Sequence, residues 1–313
     1  PLNNFVVISG ASGSGKTTLV NNILKKAVNN FLSNTPNTDK SYSNVEFTNN
    51  DIKEIEFVDQ RPIGRSSRSN PATYIKVYDD IRKLFANQPL SKNRKYKPGF
   101  FSFNVDGGRC DNCKGEGEII VEMQFMADIH LKCEECKGKR FKKEILEILY
   151  KNKNISDILN YSVKEAIDFF AQNQEHNIAK KIKPLQDVGL DYIKLGQSSN
   201  TLSGGEAQRI KLAFFLSKGE TKYKTLFVFD EPTTGLHFHD IKKLLISFYA
   251  LIEKGHSVIC VEHNLDVIKC ADWIIDLGPE GGEGGGKVVF TGVPENIINS
   301  KVSITGKYLQ KEI

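Results

Sequence analysis

Two groups of residues in this chain have types and spacings that do chemistry. The first is Gly10-Ala-Ser-Gly-Ser-Gly-Lys16-Thr17, which fits G-x-x-x-x-G-K-[ST]. Glycines at 10, 13 and 15 let backbone N–H groups close around phosphate oxygens where a Cβ would intrude. A helix starting there adds its dipole. Lys16 is placed to reach β- and γ-phosphates, and Thr17 to coordinate Mg²⁺. Ser12, Ser14 and Thr18 belong to the same cradle. The second group is Cys110-Asp-Asn-Cys113 and Cys133-Glu-Glu-Cys136, two C-x₂-C pairs separated by 19 residues. Four thiolates so spaced satisfy tetrahedral Zn²⁺. Two disulfides would use the same residues, but thiols stay reduced in the cytosol, so structural zinc is the expectation. His130 lies between the pairs, and four thiolates leave it no coordination position.

Further polar residues stand at the ends of apolar runs. Thr225-Leu-Phe-Val-Phe-Asp230-Glu231 reads as a buried strand ending in two carboxylates. Asp230 is expected to hold the Mg²⁺ shell through water, and Glu231 to orient and deprotonate the attacking water. The plainer alternative is an acidic N-cap on the Glu-Pro-Thr-Thr turn, which the apolar run Leu226 to Phe229 argues against. Gln60 ends another short strand, suiting a γ-phosphate or Mg²⁺ contact. His263 follows Val258 to Val261, where a neutral imidazole could accept from water or donate to phosphate; a lone histidine is more often structural. In Leu202-Ser203-Gly204-Gly205-Glu206, the Ser hydroxyl and the N–H groups of Ser203, Gly204 and Gly205 open a helix and make an anion site.

The elements that must position these groups follow from the pattern. Phe5 to Ser9 reads as a buried strand feeding a helix over Lys16 to Val28, and Glu54 to Asp59 as a strand leading to Gln60. Residues 33 to 51 look like a surface excursion and 61 to 73 a loop. Tyr74 to Ala86 has helical spacing, Ile155 to Asp187 is mostly helical, and 204 to 217 is a helix. From Thr225 onward strands and helices alternate, which implies a parallel sheet covered by helices. A Gly-rich turn at 281 to 286 leads to a last strand, Lys287 to Thr291. Glu118 to Asp128 alternates apolar and polar residues, as a hairpin presented by the metal would. Cys260 and Cys270 look like small buried residues.

With 313 residues, 39% hydrophobic and 26% charged, the chain is large enough for two or three subdomains. No apolar run approaches the roughly 18 residues of a membrane span, and no signal peptide is visible. A cytosolic protein is expected, not a transporter with its own membrane domain. Pro1 and a single strand before the phosphate loop suggest a piece of a longer protein. The formal charge is +5, with basic clusters at Lys92 to Lys97, Lys137 to Lys143 and Lys180 to Lys183. Such clusters serve a polyanion such as DNA, or simply a solvated face.

The order of phosphate loop, Gln60, LSGGE, Asp230-Glu231 and His263 resembles the ATP-binding cassette ATPases. That resemblance implies a P-loop NTPase in which LSGGE serves the phosphate loop of a second head, in trans. Cys-Asp-Asn-Cys-Lys-Gly-Glu-Gly also matches a zinc-bearing chaperone repeat, which the ATPase motifs decide against. With zinc cysteines between Gln60 and LSGGE, nearly the whole chain resembles the C-terminal half of the UvrA family of bacterial nucleotide excision repair. The stretches include Asp59-Gln60-Arg-Pro-Ile-Gly-Arg65, Pro98-Gly-Phe-Phe-Ser-Phe-Asn104, Leu202-Ser-Gly-Gly-Glu-Ala-Gln-Arg209, Asp230-Glu-Pro-Thr-Thr-Gly-Leu-His237 and Glu262-His-Asn-Leu-Asp-Val-Ile268. Residues 30 to 53 and the last dozen match least, and Phe214-Phe215 replaces residues usually polar.

The resemblance implies an α/β fold with residues 1–75 and 219–313 as ATPase core and 76–97 as a connecting helix and basic segment. It implies a zinc-ribbon-like module at 98–143 and a helical signature subdomain at 144–218. ATP and Mg²⁺ would join Zn²⁺ as cofactors. Partners would be damaged duplex DNA, UvrB, an N-terminal half and a second copy, with no membrane. Arg65, Arg68, Lys137, Lys139 and Arg140 are the expected DNA contacts. The competing expectation is a cassette ATPase of another system, transporter-like or regulatory, with a structural zinc module.

Overall fold

The computed structural model describes all residues except 37–40, 48–51, 65, 67, 122, 124–127, 219–222 and 313. The chain forms two compact units. One comprises Pro1–Gln60 with Lys218–Ile313, and the other Arg61–Ser217.

The first unit is built on a six-stranded sheet. Its strands are β1 (Phe5–Gly10), β2 (Ile52–Val58), β5 (Lys224–Asp230), β6 (Ser257–Val261), β7 (Trp273–Gly278) and β8 (Lys287–Gly292). They lie in the order β2-β5-β6-β1-β7-β8, parallel throughout except for the antiparallel edge strand β8. A sheet covered on both faces needs strands that are apolar on both, and β1 and most of β5 are buried at nearly every position. Ile8, Leu226, Val228, Val261 and Leu277 pack with Val20 and Val28 of the helical segment that follows the phosphate loop. The alternate residues Phe5 and Phe229 meet Phe248 of the helix Phe238–Glu253, with ring centroids 5.4 and 4.6 Å apart. That alternation puts two helices on opposite faces and brings the C-terminal ends of β1, β2, β5 and β6 to one edge.

The helical segment departs from the sequence expectation. Its first part, Thr18–Leu24, is wound with wide i→i+5 bonding, and only Lys25–Leu32 is α-helical. Local spacing alone cannot reveal the wider turn.

The second unit is mostly helical. The helix expected over Tyr74 to Ala86 starts only at Tyr78, because Lys76 sits at φ +61° and interrupts it, and a short helix, Pro71–Tyr74, forms at the end of the stretch expected to be a loop. Ile155–Asn160, Val163–Gln172 and His176–Asp187 divide the expected helical region, the first two opened by capping boxes at Asn154 and Ser162. Strands β3 (Glu118–Val121) and β4 (Ile129–Lys132) make an antiparallel hairpin. Beneath it Tyr78, Phe103 and Phe141 pack in series, with centroids 4.9 and 6.2 Å apart. Phe214 meets Tyr74 edge-on at 5.4 Å, which gives the aromatic at this position an apolar partner.

Cys260 is buried within β6 as expected, whereas Cys270 is exposed. It follows a short helical turn, Leu265–Ile268, on the surface side.

Candidate functional site

The phosphate loop leaves β1 at Gly10, whose φ of +137° only glycine adopts comfortably. A Cβ there would lie 2.1 Å from the Leu277 carbonyl oxygen. Gly13 and Gly15, at φ +74° and +94°, complete the turn. Lys16 is buried, and its Nζ donates to the carbonyls of Gly10 at 2.9 Å and Ala11 at 2.7 Å. Burial pulls its ammonium below the ordinary lysine range, against the opposing charges of Glu231, Asp276 and Asp230. The Ser14 hydroxyl is buried without a hydrogen-bond partner among the described residues. A buried ammonium and an orphaned hydroxyl inside a glycine turn fit a phosphate group. Ser12, Thr17 and Thr18 are exposed around it.

The Gly-rich turn after β7 supports this loop, which the sequence reading missed. Gly282 N–H donates to Gly13 O at 3.1 Å and Gly286 N–H to Ser14 O at 3.0 Å. The Gly13 and Ser14 carbonyls are thereby taken up by the second turn, which fixes the backbone of the loop. The only sequence signal is the glycine density itself.

Parallel register sets the acid–base side. Asp230 pairs with Val261 across β5 and β6, so Glu231 and His263 leave neighbouring strand ends. His263 Nε2 and Glu231 Oε1 are 3.2 Å apart. Gln60 Nε2 donates to the Glu231 carbonyl at 3.3 Å. Glu231 sits at φ +43°, a left-handed conformation that a non-glycine residue adopts only under constraint. Thr17, Asp59, Gln60, Asp230 and Glu231 line one cleft of about 340 Å³. Burial pushes the Asp230 carboxyl up, Glu231's charge adds to the rise, and Asn21 and Lys16 oppose it. Asp59 was missed, though its place beside Gln60 at the same strand end was a usable signal. A hydroxyl and several carboxylates in one cleft suit a hard cation such as Mg²⁺.

The chain matches UvrABC system protein A over 99% of its own length. Identity is 57% over 311 residues with the protein of Aquifex aeolicus (strain VF5) and 53% over 311 residues with that of Clostridium perfringens (strain 13 / Type A). In both cases the chain spans 33% of the relative's length. The crystal structure of UvrA2 from Deinococcus radiodurans superimposes with a TM-score of 0.91 at 43% identity, over 99% of this chain and 37% of that one. No family model matches the sequence. The fold is accordingly shared with UvrA2: an α/β sheet whose first strand runs into a phosphate loop, together with a four-cysteine module.

In the second unit, the sulfurs of Cys110, Cys113, Cys133 and Cys136 all lie within 4.8 Å of one another. Cys110 and Cys133 are 3.9 Å apart and Cys113 and Cys136 3.6 Å, far beyond the roughly 2.05 Å of a disulfide and near the edges of a tetrahedron about one cation. Gly117 N–H donates to Cys113 Sγ at 3.2 Å. Burial pushes the Cys110 thiol up to about 12, a cost a bound cation would offset. The donor set therefore fits Zn²⁺. His130 pairs instead with Glu118, at 3.2 Å.

Ser203 and Glu206 close a reciprocal cap: Ser203 N–H donates to Glu206 at 2.8 Å and Glu206 N–H to the Ser203 hydroxyl at 3.2 Å. The helix Gly204–Ser217 starts there, with Leu202 half-buried before it and Gly204 and Gly205 in its first turn. Lys137 and Lys139 are exposed beside the cysteines, lining a cleft with Lys142 and Lys143. Arg140 lies over the Phe103 ring at 5.4 Å, and Arg68 pairs with Glu116 at 3.8 Å. Arg65 lies outside the described residues. Among those residues no helix is long and apolar enough to cross a membrane.

Proposed function

We propose that this chain is the C-terminal nucleotide-binding part of a DNA-damage recognition ATPase of bacterial nucleotide excision repair. The observation that carries the reading is the Glu231–His263 pair beside the phosphate loop, in a chain 57% identical to UvrABC system protein A. Gly10, Ser12, Gly13, Ser14, Gly15, Lys16, Thr17 and Thr18 would hold the triphosphate of ATP. Thr17 and Asp230 would hold Mg²⁺ with Gln60 beside it. The metal, when bound, neutralises charge that develops on the phosphates. Glu231 orients the attacking water and takes its proton, and His263 steadies Glu231 or donates to the γ-phosphate. Leu202 to Glu206 would complete the phosphate site of a second head, from an N-terminal half or another copy.

Cys110, Cys113, Cys133 and Cys136 would hold structural Zn²⁺. Lys137 and Lys139 are the exposed candidates for phosphate contacts on damaged duplex DNA. Arg65, Arg68 and Arg140 complete that set, Arg68 and Arg140 through the module's own packing. Loading of UvrB and a cytoplasmic location belong to the same reading.

Duplex binding by the full-length protein that carries this chain tests the reading. Affinity should fall steeply with salt, as backbone recognition requires, and turnover should respond to DNA. Absence of duplex binding even at low salt would favour a cassette ATPase of another system.

A further inference from the structure

A buried carboxylate lies next to the proposed catalytic pair, outside the roles read from the sequence motifs. Glu262 is 2% exposed and lies between the last residue of β6 and His263. One of its oxygens accepts from the Thr233 N–H at 3.0 Å and the Thr233 hydroxyl at 2.6 Å. The other accepts from the N–H groups of His263 at 2.9 Å and Asn264 at 3.1 Å. A single side chain thus joins the turn that follows Asp230-Glu231 to the turn that carries His263.

Burying a carboxylate is costly unless its oxygens are satisfied, and these four donors come from two separate loops. An apolar side chain would fill the space more cheaply and would link nothing. The link matters because the pair above it cannot hold itself. Glu231 and His263 are each 44% exposed along the side chain, and an ion pair at that exposure contributes little of its own. Their separation must come from the backbone beneath. Glu231 N–H bonds Val261 O at 2.9 Å and Glu262 N–H bonds Ile8 O at 3.1 Å, so the strand ends are fixed. Beyond those bonds, Glu262 ties the two turns directly.

We infer that Glu262 is a positioning residue for hydrolysis, holding Glu231 and His263 in register, an assignment that rests on the ATPase reading above. Both of its oxygens are occupied by backbone and hydroxyl donors of the two turns, so it acts through the pair it holds. Its loss should lower kcat and leave ATP affinity, set by the phosphate loop, in place.

The test uses Glu262→Gln and Thr233→Val in the full-length protein, beside Glu231→Gln and His263→Ala. Glutamine keeps one accepting oxygen and turns an N–H₂ toward the other donors, so it breaks half the clasp at nearly constant volume. Thr233→Val removes only the hydroxyl arm. Glu262→Gln should reduce kcat by about a hundredfold, the scale of a misplacement near 1 Å, with KM for ATP held. The loss should be non-additive with His263→Ala. In nucleotide-free protein, the His263 imidazole resonances should move toward those of Glu231→Gln, and less far in Thr233→Val.

Wild-type His263 resonances in Glu262→Gln, or full additivity with His263→Ala, would overturn the assignment. A wild-type protein that does not hydrolyse ATP would instead sink the ATPase reading, while the imidazole spectra still decide whether Glu262 sets the pair.

Discussion

Glu231 combines three constraints that rarely meet on one residue: a left-handed backbone, a carboxylate at a strand end and a histidine 3.2 Å away. The strain of that backbone is on the order of 1–3 kcal/mol and persists because neighbouring strands over-determine it. Glu231→Gln keeps the volume and removes the base. Turnover should fall by about 10²–10⁴-fold while ATP remains bound, as single-turnover and retention measurements would show. The same variant has a consequence for its neighbour. Asp230 is pushed up first by burial and then by the charge of Glu231. Mg²⁺ competes with a proton for that carboxylate, so metal affinity falls as pH drops through the raised Asp230 value. Removing Glu231's charge lowers that value, and the acid loss of Mg²⁺ should move to lower pH. Mg²⁺ titrations at several pH values check the direction; an upward or absent shift would count against the coupling.

At the scale of elements, the phosphate loop is held by a second turn. A Cβ on Gly281 would lie 2.5 Å from Ser12 O, a backbone atom with nowhere to go. Gly281→Ala should therefore weaken ATP binding roughly tenfold, about 1.4 kcal/mol, without touching the ligand. Equilibrium binding would show it, with unchanged affinity as the contrary result. The four-cysteine module is a second such case. Its first knuckle sits on the Phe103 carbonyl, 2.1 Å from where a Gly115 Cβ would be. Cys110→Ser should lose stoichiometric zinc and the order of the β3–β4 hairpin, yet keep ATP binding; metal analysis showing full zinc would reject the ligand set.

These elements also mark what the sequence disclosed. Gly10 to Thr17, the four cysteines and the βαβ rhythm after Thr225 were legible because each depends on residues close in the chain. The strand order, the register that brings Glu231 to His263, the clasp of 281–286 and Glu262's reach to Thr233 depend on contacts far apart in sequence. The late start of the Tyr78–Ala86 helix after Lys76, and the exposure of Cys270, escaped periodicity for a similar reason: backbone sign and surface position are tertiary outcomes.

At the scale of the whole molecule, the phosphate loop belongs to one compact unit and the LSGGE turn to the other. If that turn serves the nucleotide of another head, catalysis depends on assembly while binding does not. Ser203→Asp separates the two. Aspartate caps a helix as well as serine, so it still accepts from the Glu206 N–H and the helix should stand. Its charge, however, would face a triphosphate wherever the turn meets one, and like charges in a water-poor interface repel strongly. The variant should keep its melting temperature and its single-chain ATP affinity, lose ATP-dependent assembly and lose turnover. Light scattering with and without ATP, in the Glu231→Gln background that retains nucleotide, reads the assembly directly. If the aspartate variant assembles and turns over like the parent, the turn does not face a phosphate, and the site must be completed from elsewhere in the protein.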